Sequence, residues 1–397
     1  MSHPWEETTV ADEFEVQLGK RVDAAVARGV PRLCINNRGV RWGTVDVTEA
    51  VWELLTKADI RSLRLIAGDV LVCEGGEIGR SSVWRGEVAE AYFLNTLHRL
   101  RSKGRVHPEL LAAFLERLVT TGELQALVGK SSLAHLTKEN LLRVRLPLPN
   151  QDEQARIVGA LRAASDSIRA IERLITKKRD IRQGLLQELL TGQTRMHGFS
   201  AAWSDTTLGD VTDVVGGGTP ARSVAEFWGG NVPWATVKDI SNFNPAGTQE
   251  YITAAAVQGS ASRVVKAGTP ILAARMLVGK AVRFDVDVAI NQDLKALIVS
   301  PRLDPAYLCF WFEMNGPRLA ASAGGSTVSG TSTAEIKALE LALPPVDEQE
   351  VIARVLLDVT FELRALERRL ESARAIKTGM MQELLTGRTR LPVEVVS

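Results

Sequence analysis

The fold is decided by the stretch Asp152-Glu153-Gln154 and, further along, Gln187-Glu188-Leu189-Leu190-Thr191-Gly192. Both motifs recur 195 residues later, as Asp347-Glu348-Gln349 and Gln382-Glu383-Leu384-Leu385-Thr386-Gly387. Segments 146–195 and 341–390 share 23 identical residues in 50 positions without a gap. A repeat at a fixed spacing indicates a duplicated structural unit.

Each repeated segment predicts a long helix with one apolar stripe. The stripe follows the four-and-three spacing of a coiled-coil seam. Its residues are Ile157, Leu161, Ala164, Ile168, Ile171 and Ile175 in the first copy, and Ile352, Leu356, Val359, Leu363, Leu366 and Leu370 in the second. Asp152 and Asp347 are the expected N-caps, and Gly192 and Gly387 the expected stop signals. Two helices of about 38 residues, roughly 57 Å long, should pack antiparallel.

The segments that precede the helices are more divergent. Weak matches pair Leu18-Gly19 with Leu208-Gly209, Gly68-Asp69-Val70-Leu71 with Gly268-Thr269-Pro270-Ile271, Gly79-Arg80 with Gly279-Lys280, and Asn95 with Asn291. Strands are expected at 32–35, 70–73, 286–290 and 296–299, and helices at 110–119 and 308–312. The predicted fold class is α+β: two mixed α/β domains joined by two long antiparallel helices, with a pseudo-two-fold internal repeat. The expected boundaries are 1–150, 151–195, 196–345 and 346–397.

Composition places the chain among ordinary globular proteins. The three cysteines, Cys34, Cys73 and Cys309, are far apart and predict neither a disulfide framework nor a metal site, which favours the cytoplasm. No apolar run has the length of a membrane span, and the N-terminus has no signal-peptide pattern. The formal net charge of +1 neither predicts nor excludes nucleic-acid binding.

Motifs of catalysis are incomplete or missing. Val128-Gly129-Lys130-Ser131 resembles the end of a phosphate-binding loop, but Leu124 stands where its first glycine belongs. Gly75-Gly76-Glu77-Ile78-Gly79 predicts a turn, since the dinucleotide spacing is absent. The chain has no Asn-Pro-Pro-aromatic tetrad, no acidic nuclease cluster and no His-Glu-x-x-His pattern. We therefore predict no catalytic residue and no metal site.

Two domains, each ending in Leu-x-Leu-Pro-x-x-Asp-Glu-Gln and a helix closed by Gln-Glu-Leu-Leu-Thr-Gly, resemble the specificity subunit of type I restriction-modification systems. The second domain carries further motifs similar to this family: Trp203, Leu208-Gly209, Gly217-Gly218-Thr219-Pro220, Trp228-Gly229-Gly230, Val232-Pro233-Trp234 and Asn291-Gln292. The first domain keeps Leu18-Gly19, Gly68-Asp69-Val70-Leu71 and Ile78-Gly79-Arg80, but has Asn95-Thr96 in place of Asn-Gln.

The resemblance implies a non-catalytic subunit whose two target-recognition domains read the two halves of a bipartite, asymmetric double-stranded DNA target. It implies that the paired helices set the spacing and dock two modification (methyltransferase) subunits and the restriction (translocase and nuclease) subunits. S-adenosylmethionine, ATP and Mg are then expected on the partner subunits, with no cofactor in this chain.

The candidate contact residues follow from this implication and from side-chain chemistry. The expected DNA contacts are Arg80, His98, Arg99, Thr219, Arg222, Lys238, Arg275, Lys280 and Gln292. The expected partner contacts are Arg169, Glu172, Arg173, Arg364, Glu367 and Arg368. Two other readings stay open: a coiled-coil scaffold that binds proteins without touching DNA, and a fused restriction enzyme, which the missing motifs count against.

Overall fold

The computed structural model describes residues 5–22, 28–128, 135–322 and 330–392. The chain divides into two compact units. Unit 1 comprises Met1–Arg173 and Glu367–Ser397, and unit 2 comprises Leu174–Leu366. Each unit therefore contains one divergent domain and a part of both long helices.

Unit 1 combines mostly antiparallel strands with helices of different lengths. Its described strands are β1 (Glu6–Thr9), β2 (Phe14–Leu18), β3 (Val30–Ile35), β4 (Val40–Arg41), β5 (Thr44–Val45), β6 (Val51–Leu55), β7 (Val70–Cys73), β8 (Ser81–Val83), β9 (Tyr92–Phe93), β10 (Leu97–Ser102) and β11 (Arg145–Leu148). Its described helices are α1 (Val10–Glu13), α2 (Lys57–Ser62), α3 (Pro108–Thr120), α4 (Glu123–Val128), α5 (Lys138–Leu142) and the first part of α6 (Gln151–Leu190). The sheets have the orders β2-β10-β7-β8, β6-β3-β9, β1-β11 and β4-β5.

Unit 2 repeats this arrangement with local differences. Its described helices are α7 (Leu208–Val211), α8 (Val237–Ser241), α9 (Ala254–Gln258), α10 (Pro305–Ser322), α11 (Thr333–Lys337) and the first part of α12 (Val346–Leu384). Its described strands are β12 (Ser204–Thr207), β13 (Thr212–Gly216), β14 (Trp228–Ala235), β15 (Glu250–Ile252), β16 (Arg263–Val265), β17 (Pro270–Ala273), β18 (Ala281–Arg283), β19 (Val288–Ile290), β20 (Leu294–Val299) and β21 (Glu340–Leu343). The sheets have the orders β13-β20-β17-β18, β15-β14-β19-β16 and β12-β21.

The predicted elements are found where the sequence placed them. Strands β3 and β7 contain 32–35 and 70–73, and helices α3 and α10 contain 110–119 and 308–312. In the expected strand 286–290 only Val288–Ile290 is extended, and all three residues are buried because β19 is an inner strand of its sheet. The Gly129-Lys130-Ser131 motif lies outside the described residues.

The two long helices have the predicted seam, and every seam residue is buried or half-buried. In unit 1, Ile157 and Leu161 of α6 share a core with Met381 and Leu384 of α12. In unit 2, Leu186 and Leu190 of α6 share a core with Ile352 and Leu356 of α12. Because the start of one helix meets the end of the other, the segments run antiparallel in each unit.

The ends of the helices correct one prediction. Helix α6 begins at Gln151 and is capped by the side chain of Asn150, which accepts a hydrogen bond from the Glu153 N–H at 2.9 Å. Asp152 is therefore inside the first turn, as is Asp347 in α12, and neither is the N-cap. The predicted stops are correct: Gly192 and Gly387 follow the last turns with φ of 71° and 70°, a conformation that favours glycine.

Strand pairing fixes the structural repeat more accurately than sequence comparison. Leu18 pairs with His98 as Gly216 pairs with Lys295, so Leu18-Gly19 corresponds to Gly216-Gly217 and not to Leu208-Gly209. The sequence comparison had matched a strand end to a short helix. The match of Arg80 with Lys280 is correct. The Arg80 carbonyl accepts the backbone N–H of Cys73, the last residue of β7, and the Lys280 carbonyl accepts that of Ala273, the last residue of β17.

Candidate nucleic-acid interface

Three exposed polar residues expected to contact DNA meet on neighbouring loops of unit 2. The Thr219 hydroxyl donates a hydrogen bond to Gln292 Oε1, and the Gln292 amide lies 3.5 Å from Asp293 Oδ2. Arg275 lies 3.8 Å from the other carboxylate oxygen of Asp293. We call Thr219, Arg275, Gln292 and Asp293 the polar cluster. It presents an amide, a guanidinium and a hydroxyl to solvent, which are the groups that hydrogen-bond base edges.

Next to the polar cluster, the guanidinium of Arg222 lies over the rings of two tryptophans. Its guanidinium carbon lies 3.6 Å from the Trp228 ring centroid and 5.3 Å from the Trp234 centroid, and its side chain forms a 2.7 Å ion pair with Glu250. Trp234 in turn donates to the Gly218 carbonyl at 3.3 Å, next to Thr219. Stacking restricts the rotamers of Arg222, so its charge is held in place while the side chain remains exposed.

The other two cations expected in unit 2 lie apart from the polar cluster. Lys238 is exposed on α8, a helix that begins where the Thr236 hydroxyl accepts the Lys238 N–H at 3.2 Å. Lys280 is exposed at the far end of the 274–280 loop, on the wall of an open groove.

In unit 1, two of the three predicted DNA contacts are corrected by the structure. His98 is fully buried, with Nε2 2.8 Å from the Leu136 carbonyl, and burial lowers the pKa of its ring below the usual 6.5. Arg99 is 7% exposed and bonds to Gln17 and to the Ser62 carbonyl, and burial lowers its pKa as well. Both sit on the buried part of β10 and hold the domain together, so neither offers its side chain to DNA.

Arg80, the third of these residues, is half-buried. It donates to the Asn37 carbonyl at 2.7 Å and to Glu77 at 2.9 Å. It therefore links the 74–80 loop to the loop after β3, while part of the guanidinium remains accessible.

Sequence reasoning missed a candidate that strand register reveals. Strand β3 pairs in parallel with β9 at Cys34, and β14 pairs in the same way with β19 at Trp234. Cys34 therefore corresponds to Trp234, and Arg38, four residues further on, corresponds to Lys238. The Arg38 N–H is accepted by the Asn36 side chain at 2.9 Å, as the Lys238 N–H is by Thr236. Each exposed cation thus follows a short side-chain cap. Their shared spacing from Arg80 and Lys280 was the only signal in the sequence.

A second group missed from the sequence is a three-residue cluster that both units contain. In unit 1 the Trp5 indole donates to Glu153 at 3.0 Å, while Arg390 bonds Glu153 at 2.8 Å and lies over the Trp5 ring. In unit 2 Trp203, Glu348 and Arg195 repeat these contacts, with Arg195–Glu348 distances of 2.8 Å. We call these the Trp–Glu–Arg clusters. The Arg195 hydrogen bonds to Glu348 raise the pKa of that guanidinium.

The glutamines of the repeated Asp-Glu-Gln motif are equally structural. Gln154 is 1% exposed and bonds the Arg105 and Pro149 carbonyls, each at 2.9 Å. Gln349 is fully buried and bonds the Arg302 and Pro344 carbonyls in the same way. The motif therefore locks each helix start to its own domain.

The expected partner contacts lie on the long helices. Arg173, Arg364 and Arg368 are exposed, and Glu367 is half-buried. Arg169 is half-buried beside Asp166, and Glu172 accepts a hydrogen bond from Arg374 at 2.6 Å. These side chains form a charged surface, as helix positions outside a seam usually do.

Three further properties of the described ranges bear on other kinds of site. Among these residues, no group of three or more His, Cys, Asp or Glu side chains could hold a metal ion. None of the described helices meets the length and hydropathy needed to cross a membrane. Cys34, Cys73 and Cys309 are free thiols.

Comparison with known proteins gives consistent results. The family model described as the type I restriction modification DNA specificity domain matches residues 4–178 and again 201–372. The MjaIX specificity subunit of Methanocaldococcus jannaschii is 30% identical over 159 residues, which are 39% of this chain and 37% of that protein. The EcoR124I/EcoR124II specificity subunit of Escherichia coli is 27% identical over 157 residues, 38% of this chain and 39% of that protein. These two alignments thus span less than half of each relative.

Longer alignments are found at lower identity. The putative MjaX specificity subunit of M. jannaschii is 22% identical over 371 residues, covering 87% of this chain and 84% of that protein. The solved S subunit of a type I restriction-modification system from M. genitalium has a TM-score of 0.62 at 12% identity, over 96% of both chains. A chain from a type I R-M system studied for complex assembly and conformational transition also has a TM-score of 0.62, at 18% identity, over 98% of this chain and 99% of that one. With two copies of the family domain spanning most of its length, the chain belongs to the type I restriction-modification DNA specificity family.

Proposed function

We propose that this chain is the non-catalytic specificity subunit that reads a bipartite, asymmetric DNA target, one half-site with residues 1–150 and the other with 196–345. The observation that carries the proposal is the polar cluster with its stacked Arg222 in a member of this family. Exposed amide and guanidinium groups held by neighbouring side chains are suited to reading base edges. The two domains differ at the corresponding positions, which supports an asymmetric target.

The reading surface of unit 2 comprises the polar cluster, Arg222 and Lys238, with Lys280 as a further cation. In unit 1 the proposed contacts are Arg80, Arg38 and Asn95. Asn95 is half-buried and corresponds to Gln292, so its match with Asn291 in the sequence is wrong by one residue. The next residues, Thr96 and Asp293, accept the equivalent backbone hydrogen bonds from Glu74 and Ala274. An asparagine in place of a glutamine shortens the reach of the amide by one methylene.

We further propose that the charged faces of α6 and α12 dock two modification subunits through Arg169, Glu172, Arg173, Arg364, Glu367 and Arg368. The repeat places identical residue types at the matched positions, which are Arg169 and Arg364, Glu172 and Glu367, and Arg173 and Arg368. Two like partners require two like surfaces, which the repeat supplies. In this scheme S-adenosylmethionine, ATP and Mg belong to the modification and restriction subunits, and the complex acts in the cytoplasm, where the DNA is.

The test is a map of methylated sites in a strain that carries Gln292→Ala or Arg275→Ala. Losing a base contact should cost about 1–3 kcal/mol of discrimination and relax the sequence at one position of one half-site. Lys266→Ala is the matched control, because Lys266 is an exposed cation of unit 2 that is paired with Asp287.

A scaffold that binds no DNA would give a different result. In that case the target sequence and the affinity of the assembled complex for DNA would be the same in all three variants. The purified chain alone should transfer no methyl group to DNA, and transfer by the chain free of other subunits would contradict its non-catalytic role.

A further inference from the structure

Unit 2 contains a large open groove that shares Lys280 with the proposed DNA-reading surface and otherwise lies outside it. Its volume is about 820 Å³. It is lined by strand β18, helix α10, the 276–280 loop and, from α12, Leu357, Phe361 and Arg364. We call this the unit-2 groove. Phe361 and Met276 are 59% and 63% exposed there, which is unusual for large apolar side chains on adjoining elements.

The corresponding place in unit 1 is covered by the chain itself. The connection from β3 to β6 folds back as the β4–β5 hairpin, which packs against β8, the counterpart of β18. Gly43 at the hairpin tip donates to the Ser81 carbonyl and lies beside Arg169. A cavity of about 70 Å³ remains. In unit 2 the connection from β14 to β15 forms α8 instead, and its Pro245 carbonyl accepts the Asp285 N–H just beyond β18. Strand β18 itself remains an edge strand, with no described strand paired to its outer side.

The residues that line the unit-2 groove are more apolar than the residues at the matching positions of unit 1. Phe361 occupies the position of Asp166 in the helix repeat, and Met276 and Leu277 occupy those of Gly76 and Glu77 in the loop. Gly76 and Met276 both have positive φ, 75° and 58°, a conformation that is unfavourable for methionine. Unit 2 thus keeps a strained, exposed methionine where unit 1 has a glycine.

Charge in the groove is unbalanced. Glu313 is held by Arg182 through two hydrogen bonds of 2.6 and 2.7 Å. The side chains of Arg283 and Arg364, which also line the groove, form no hydrogen bond or ion pair within the part of the chain that the structure describes. Asp285 is the other acidic lining residue. An occupant with carboxylates would therefore be attracted to this groove.

We propose that the unit-2 groove binds an extended segment of a docked modification subunit. The apolar side chains of that segment contact Met276, Leu277 and Phe361, and its carboxylates lie near Arg283 and Arg364. The segment lies along the free edge of β18, in the place that the β4–β5 hairpin occupies in unit 1. This inference rests on the proposed function. It extends the docking surface proposed above, because Arg364 belongs to both.

Because the groove is open in unit 2 and its counterpart in unit 1 is covered by the hairpin, the two docking sites are unequal. One modification subunit inserts a segment into unit 2, while the other meets a place already filled by the hairpin of unit 1. Extended segments that add to a free sheet edge gain backbone hydrogen bonds as well as side-chain contacts. The subunit docked on unit 2 is therefore held more tightly.

The experiment uses the full chain co-purified with the modification subunit of the same restriction-modification system. The double variant Met276→Gly with Phe361→Asp installs the residues of unit 1, and the glycine relieves the backbone strain. Ile298→Asp is the control, since Ile298 is 44% exposed on another strand of the same unit. The double variant should bind the tighter modification subunit at least about tenfold more weakly, the size of effect expected for lost apolar anchors. Native mass spectrometry should show complexes that hold one such subunit, where wild type and Ile298→Asp hold two.

A photo-crosslinking amino acid at position 361 identifies the occupant. The expected product joins position 361 to an acidic, apolar segment of the modification subunit. Crosslinks to a second copy of this chain, or to its own residues 323–329, would overturn the proposal, as would equal binding by wild type and the double variant. Failure of wild type to bind the modification subunit at all would instead overturn the proposed function.

Discussion

The two units share their Trp–Glu–Arg clusters but differ around the edge strands β8 and β18. Each cluster joins the start of one long helix to the residues that follow the end of the other. Arg390, at the end of the chain, completes the cluster of the first domain, whereas Arg195, in the middle of the chain, completes that of the second. The edge of β8 is covered by a hairpin and that of β18 is open. Duplication thus preserved the contacts that fasten helix ends to domains and left the outer surfaces free to diverge.

The largest expected effect comes from removing the shared indoles. Trp5→Ala and Trp203→Ala should each lower the free energy of unfolding of their own unit by about 3 kcal/mol, because a packed aromatic side chain is lost. Trp→Phe at either position should cost about 1 kcal/mol, since the ring stays and one hydrogen bond is lost. Hydrogen exchange resolved by unit is the measurement. Similar losses in the two units would sharpen the comparison, and an effect confined to one unit would break it.

The second prediction concerns the length of the long helices between the two units, with the sequence of each recognition domain unchanged. Four residues would be inserted between Arg173 and Leu174 and four between Leu366 and Glu367, where the chain passes from one unit to the other. The added rise of roughly 6 Å should lengthen the spacer of the target by about one base pair or more, or abolish binding. Methylation mapping would show whether both half-site sequences remain the same. A changed half-site with an unchanged spacer would contradict the role of the helices as a ruler.

The smallest expected effect is a pH dependence confined to unit 1. His98 is buried and its counterpart in the β10–β20 correspondence is Lys295. Because burial lowers the pKa of His98 below 6.5, the unfolded chain binds the proton more tightly than the folded one. The stability contributed by the neutral ring is complete above about pH 6.5 and decreases as the pH falls through that range.

His98→Gln should remove this component. The difference in urea-unfolding free energy between wild type and the variant, measured at about pH 7.5 and about pH 5.5, should change in favour of the variant at the lower pH. A difference that is independent of pH would show that His98 does not titrate on unfolding.

Sequence alone predicted the features that depend on local periodicity. The seam residues, the stop at Gly192 and the strands around Val70 follow from apolar spacing and glycine conformation, and the structure contains them. The repeat located both long helices because their core positions tolerate few changes. Family motifs gave the two-domain organisation for the same reason.

Residue roles that depend on tertiary contacts could not be predicted. His98 and Arg99 had the right chemistry for DNA, but both are buried because β10 is an inner strand of its sheet, and only its pairing with β2 and β7 reveals this. Arg38 and Lys238 lie in segments that barely align, so their equivalence required the strand register. The pairing of Trp5 with Trp203 could not be predicted either, because each cluster joins a glutamate in the first turn of one long helix to an arginine that follows the end of the other.

The central claim is that each unit reads one half-site independently. The most direct measurement replaces residues 196–345 with the corresponding segment of another member of the family and maps methylated sites across the genome of the resulting strain. The account predicts that one half-site changes to that of the donor, while the other half-site and the spacer length stay the same. A change in both half-sites, or in neither, would contradict it.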